Sequence, residues 1–235
     1  MAIGTRPVID CLSMVITIDG PAGSGKSTVA EEVARRLSVS FLNTGHMYRA
    51  IGLEARRRQI DLTNAIELTF VAKHCRIEFD WSKYPPPVIL NGEKVTHLLG
   101  GREVSEAASY VAVVPAIREL MVKQQQEIGK QLGDLVTEGR DQGTIVFPTA
   151  EFKFYVDASP EERARRRFVQ LRSRGESIDY KEILDQIQAR DKRDRERLVG
   201  PLEKPKDAIE IDSTTLSFED VVRHIIGTVE ARPVS

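Results

Sequence analysis

One octapeptide limits what this 235-residue chain can fold into. Gly20-Pro21-Ala22-Gly23-Ser24-Gly25-Lys26-Ser27 matches G-x-x-x-x-G-K-[ST] in full. It follows a β-branched run, Val15-Ile16-Thr17-Ile18, and opens an amphipathic stretch over residues 27–37. Strand, glycine-rich turn and helix in that order make a phosphate-binding loop. The glycines let successive backbone N–H groups converge on phosphate oxygens, and the helix N-terminus adds its partial positive charge. At these offsets Lys26 reaches the outer phosphates and the Ser27 hydroxyl can ligate Mg²⁺. Residues 20–28, Thr28 included, are therefore expected to hold a nucleoside triphosphate.

Around this unit strand and helix alternate. Residues 39–42, 135–137, 152–156 and 208–211 read as further short strands, and a helix is expected from there to about residue 58 after the first of them. Over residues 217–230, Phe218, Val221, Val222, Ile225, Ile226 and Val229 fall at helical spacing, with Ser217 and Asp220 as a capping pair. Such alternation predicts an α/β fold, a three-layer core whose parallel sheet is flanked by helices. Two stretches depart from it. Between residues 61 and 106 the chain has Tyr84-Pro85-Pro86-Pro87, which cannot sit inside a central strand, and Asn91-Gly92 between short apolar runs. Asn-Gly is the type I′ hairpin signal, because both central positions need positive φ. A small antiparallel β insert is expected there. Residues 160–201 are helical in pattern and rich in arginine.

Charge separates these parts. The whole chain has 34 Lys and Arg against 35 Asp and Glu, which excludes a general polyanion binder. Residues 163–197 alone have 12 Lys and Arg against 7 Asp and Glu, a local +5. Two cysteines, Cys11 and Cys75, make no disulfide framework, and no apolar run is long enough to span a bilayer. The first fourteen residues lack a secretory pattern. A cytoplasmic protein with no membrane or nucleic-acid partner is expected.

A phosphate-binding loop does not choose a reaction. No Asn-Lys-x-Asp guanine-reading tetrapeptide occurs, and a neutral chain of this size lacks the basic track of a nucleic-acid motor. Phosphoryl transfer to a small anionic acceptor needs arginines facing the loop. Arg49, Arg140, Arg190 and Arg197 meet that need, and Arg190, Asp194 and Arg197 share one helical face at i, i+4 and i+7. Lys192 and Arg195 read as solvated charges.

The chain resembles the bacterial cytidylate kinases, a family of nucleoside monophosphate kinases, over residues 15–226. The resemblance rests on five motifs in order: Ile18-Asp19 with the loop, Asn43-Thr44-Gly45-His46-Met47-Tyr48-Arg49-Ala50, Glu138-Gly139-Arg140-Asp141-Gln142-Gly143, Val156-Asp157-Ala158-Ser159-Pro160-Glu161-Glu162-Arg163, and Arg190-Asp191-Lys192-Arg193-Asp194-Arg195. It implies ATP and Mg²⁺ as cofactors and CMP or dCMP as acceptor. It implies a core of residues 14–60, 107–159 and 201–231, a monophosphate-binding insert at 61–106 and an arginine-rich helical lid at 160–200. Residues 1–13 would be an N-terminal extension, with Met14 a candidate start. Lys26, Arg140, Asp141 and Arg190 are implied to carry the chemistry, and Ser27 the metal. Thr44, Tyr48, Arg49 and Arg140 would line the acceptor phosphate site. Arg190 and Asp194 would approach the ribose, and Ser109, Arg118, Asp141 and Arg197 the cytosine.

The residue types suit that base. A carboxylate or hydroxyl accepts from the exocyclic amine of cytosine, and would meet a lone pair on uracil. Kinases for UMP or AMP, a catalytically idle nucleotide-binding regulator and a nucleic-acid-stimulated ATPase are the competing readings. Asn43, His46 and Gln142 depart from the residues usual in the family. His46 reads as a solvent-facing helix residue beside the acceptor site. Nothing obliges a dimer, and a monomer is expected.

Overall fold

The computed structural model describes residues 14–173 and 175–231. The expected extension at 1–13, Cys11 included, lies outside the described residues.

Five strands form one parallel sheet: β1 (Val15–Asp19), β2 (Ser40–Asn43), β6 (Leu135–Gly139), β7 (Phe152–Asp157) and β8 (Ile209–Asp212). Their order is β2-β6-β1-β7-β8, so β1 lies at the centre. Side chains alternate across the sheet, as the pleat requires. Phe41 and Val136 face one core with Ile16, Ile18, Phe154 and Val156, and Leu42 and Leu135 face the other. The first core is closed by α1 (Lys26–Leu37) and α8 (Phe218–Glu230), whose Val29, Val33, Val222 and Ile225 are buried against it. The second is closed by α2 (Thr44–Arg57), α3 (Ala65–His74), α4 (Arg102–Val111) and α5 (Pro115–Leu132). Helices on both faces of a parallel sheet give the expected three layers.

The small antiparallel sheet has three strands, β3 (Ile77–Phe79), β4 (Val88–Leu90) and β5 (Glu93–Lys94). Asn91 and Gly92 join β4 to β5 with φ of 51° and 87°, the positive pair that the Asn-Gly signal predicts. Ile77, Phe79, Val88 and Leu90 pack into the second core rather than forming one of their own. Helix α4 starts at Arg102 and continues past residue 106 along α2.

The arginine-rich stretch folds as α6 (Pro160–Ser173) and α7 (Tyr180–Glu196). Ala164, Leu171, Ile183 and Ile187 form their own small apolar core. At about 1.5–3 kcal/mol per fully buried Leu or Ile, Leu171, Ile183 and Ile187 give this hairpin far less apolar cohesion than either core beneath it. Arg197 is not on the α7 face with Arg190 and Asp194: it caps the helix in an extended conformation, φ −66° and ψ 142°.

The ends of these elements make the site. β1, β2 and β6 run parallel and in register, with Asp19 opposite Gly139 and Asn43 opposite Glu138. Three chain segments therefore leave the sheet together at its C-terminal edge, where open α/β sheets bind ligands.

Candidate active site

The loop after β1 takes its shape from glycine. Gly20, Gly23 and Gly25 have φ of 150°, 81° and 88°. A Cβ on Gly20 would lie 2.0 Å from the Val156 carbonyl oxygen, so no side chain fits there. Gly25 is the N-cap of α1 and offers no side-chain cap. The first N–H groups of that helix are thus left for an anion. Thr28 is exposed on the first turn of α1.

Lys26 is buried, and its Nζ donates to the Pro21 carbonyl at 2.9 Å. Burial, with Arg140 as the strongest like charge, pushes its pKa down to about 7. Its Nζ is also 3.9 Å from Glu138 Oε2, and the Ser27 hydroxyl donates to Glu138 Oε1 at 2.9 Å. Glu138, buried at the end of β6, therefore touches both chemically active side chains of the loop.

Two residues further on, a cluster of arginines and carboxylates begins. Arg140 Nε donates to Asp194 Oδ2 at 2.9 Å. Asp194 lies 3.9 Å from Arg197, Arg197 lies 3.6 Å from Asp141, and Asp141 pairs with Arg118. Three guanidinium groups thus share two carboxylates in one buried chain. Burial opposes ionisation of Asp194, yet Arg140, Arg190 and Arg197 hold its carboxyl below the usual carboxylate range. Arg190 donates to Ser105 Oγ at 3.1 Å, and burial with the neighbouring cations pushes its pKa down to about 10. Arg118 Nε, Arg190 Nε and Arg197 Nη2 are buried donors with no hydrogen-bond partner among the described residues. Such donors are costly in a closed core and suited to an anionic or carbonyl-rich ligand.

The remaining predicted residues border this chain. Arg118 lies 5.6 Å over the Tyr48 ring. Tyr48 is pushed up to about 12 by burial, so its hydroxyl stays protonated and able to donate. Thr44 is buried, and its hydroxyl donates to the Glu138 carbonyl at 2.8 Å. Arg49, part-buried on α2, is near enough to depress both Arg190 and His46. Ser109 is buried on α4 and accepts from Arg193 Nε at 3.2 Å. Arg140, Asp194, Arg197, Asp141, Arg118 and Tyr48 are thus linked side chain to side chain, while Ser109 is reached through Arg193 and Thr44 through Glu138.

One reading changes here. His46 is not solvent-facing: it is part-buried, and burial, then Arg49, push its pKa down to about 4. Asn43 has a structural duty, since its Oδ1 accepts the His46 N–H as the N-cap of α2. Lys192 and Arg195 are exposed, as their reading as solvated charges expects.

Four contacts of the loop and cluster go beyond the sequence reading. Glu138 and Arg193 are two. Arg163 is the third: it is buried, donates to the Ala22 carbonyl at 3.1 Å and pairs with Asp191 at 2.7 Å. Arg166 is the fourth, donating to the Ser24 carbonyl at 3.2 Å. In sequence these arginines look like a solvated run. Their partners lie some 140 residues away, as the separation of 141 for Arg163 and Ala22 records.

A phosphate-binding loop meeting a cluster of arginines at the C-terminal edge of a parallel sheet defines a P-loop phosphotransferase. The family model described as cytidylate kinase matches residues 16–231. A curated cytidylate kinase of Pseudomonas savastanoi pv. phaseolicola is 43% identical over 223 residues, covering 94% of this chain and 97% of that protein. One of Mannheimia succiniciproducens is 44% identical over 220 residues, with the same two shares. A solved structure of an uncharacterized protein from Eubacterium ventriosum aligns with a TM-score of 0.50 at 11% identity, over 93% of this chain and 99% of that one. That last likeness is one of fold. The chain belongs to the cytidylate kinase family.

Proposed function

We propose that the chain catalyses reversible transfer of the γ-phosphoryl group of ATP to CMP or dCMP, giving ADP and CDP or dCDP. One observation carries this reading: Glu138 touches Lys26 and Ser27 on one side, and Arg140, two residues on, opens the acceptor cluster. Donor and acceptor groups thus meet within one turn of chain.

Residues 20–28 would cradle the triphosphate, with Lys26 on its outer phosphates. The Ser27 hydroxyl beside a buried carboxylate fits a Mg²⁺ ion that keeps several waters and takes phosphate oxygens as its other ligands. Such an ion would neutralise charge on the phosphates. Arg49 and Arg140 would bind the acceptor phosphate, Thr44 and Tyr48 would line it, and Arg190 and Asp194 would approach the ribose. Asp141 or Ser109 would accept from the cytosine amine, with Arg118 and Arg197 donating to its other edge. The transferred group passes through a loose transition state with charge spread over its oxygens. Positioning and cations therefore suffice, and no covalent enzyme intermediate is needed. Residues 61–106 would act as the acceptor-binding insert on the core 14–60, 107–159 and 201–231. Residues 160–200 would act as the lid, excluding water from ATP. No helix among the described residues is long and apolar enough to cross a membrane. The reading is of a cytoplasmic monomer acting on free nucleotides.

Coupled assays run in parallel with CMP, dCMP, UMP and AMP test it. CMP and dCMP are expected to be the efficient acceptors. Preference for UMP or AMP, or ATP hydrolysis indifferent to any acceptor, would overturn it.

A further inference from the structure

Asp19 is the last residue of β1 and is 0% exposed. Its two oxygens each accept a backbone N–H from the turn beyond β6: Gln142 to Oδ1 and Gly143 to Oδ2, both at 2.8 Å. That turn starts directly after Arg140 and Asp141 and is a single π-helical turn, Gln142–Val146. One carboxylate therefore joins the residue preceding the donor loop to the residues following the acceptor arginine. A buried carboxylate is costly unless its lone pairs are used, and here both oxygens are. Burial pushes the Asp19 carboxyl up to about 7 although both N–H groups oppose the shift.

The donor loop has holds of its own. Lys26 donates to the Pro21 carbonyl, Arg163 to that of Ala22 and Arg166 to that of Ser24. The Gln142 side chain is also held separately, by Thr137 at 2.9 Å and Gln125 at 3.0 Å. What Asp19 adds is a hold on the backbone itself, at the N–H groups of 142 and 143, and through them on where Arg140 and Asp141 stand over the loop.

We infer that Asp19 is a positioning residue for phosphoryl transfer, setting the acceptor turn against the donor loop through the N–H groups of Gln142 and Gly143. The inference rests on the donor and acceptor assignments proposed above. Transfer is sensitive to small displacements of the reacting groups, so the link acts on rate as well as on binding.

Asp19→Asn tests it in the full-length chain. The variant keeps the volume and one acceptor, but turns an amide donor toward a backbone donor. The expected result is a fall of about tenfold or more in kcat/KM for CMP, the scale of one lost charged hydrogen bond. KM for ATP should stay within about twofold, because other groups hold the donor loop. Titration calorimetry with CMP alone should show part of that loss as weakened binding. Unchanged CMP parameters, or equal losses for CMP and ATP, would overturn the inference, as would a lowered melting temperature with unaltered kinetics. Should Asp19→Asn not fold, Asp19→Glu, which keeps both acceptors one methylene further out, is expected to show a smaller loss again confined to CMP. Equal or absent effects there would overturn it too. A wild-type chain inactive on CMP would sink the proposed function, whereas an active wild type matched by its variants would sink this inference alone.

Discussion

The phosphate-binding loop and the arginine cluster proposed to bind the acceptor stand side by side, yet they are built in opposite ways. Eight consecutive residues make the loop, and its shape follows from backbone angles that glycine alone adopts easily at positions 20, 23 and 25. The acceptor cluster draws Tyr48 from α2, Ser109 from α4, Arg118 from α5, Arg140 and Asp141 from beyond β6, and Arg190 and Asp194 from α7. Its geometry is held by pairs among its own charges. A local site of the first kind tolerates change elsewhere in the fold. A dispersed site of the second kind is sensitive to a shift in any one element, and its α7 portion rests on the smallest apolar core among the described residues.

Substitutions on the two sides should separate cleanly. Lys26→Ala should have the largest effect, a loss on the order of 10³-fold in kcat, while calorimetric affinity for CMP stays near wild type. Retained turnover in a steady-state assay would contradict the role of the loop. Arg140→Ala should do the reverse, weakening CMP by about ten- to a hundredfold with little change for ATP. Unaltered CMP affinity by calorimetry would break the comparison.

The smallest effect concerns His46. Its pKa in the folded protein, about 4, lies below the ordinary value of 6.5. Below pH 6.5 the unfolded chain therefore binds a proton that the folded chain refuses, and stability falls as pH drops from about 6.5 toward about 4. The full shift corresponds to about 3 kcal/mol at most, reduced by the residue's partial exposure. Denaturant titrations of His46→Gln across that range should show a shallower decline. Between pH 7 and 8 the imidazole stays neutral, so the same substitution should leave the pH dependence of CMP affinity unchanged.

Legibility in the sequence followed the same division. The loop, the sheet alternation, the Asn91-Gly92 hairpin and the Ser217–Asp220 capping box, which the structure contains in full, are all short-range signals. Helix α5 is hard to read from sequence because part of its buried surface is polar, at Arg118 and Gln125. Hydrophobic periodicity cannot register a face of that kind. The need for arginines opposite the loop points to Arg49, Arg140, Arg190 and Arg197, whereas Thr44, Tyr48, Ser109 and Arg118 follow only from the resemblance, since no spacing rule connects them. Asp19 and Glu138 escaped for a related reason. A carboxylate beside glycine reads as a turn residue until its partners more than 100 positions away are known.

Whether the cluster reads cytosine is the central claim, and Asp141→Asn tests it most directly. In the wild type Asp141 lies between Arg118 and Arg197 as the buried acceptor proposed for the exocyclic amine. An amide in its place can donate to the carbonyl that uracil carries instead. The quantity to measure is the ratio of kcat/KM for CMP to that for UMP, which cancels any general loss of stability. It should fall by about a hundredfold or more in the variant. An unchanged ratio would contradict the assignment.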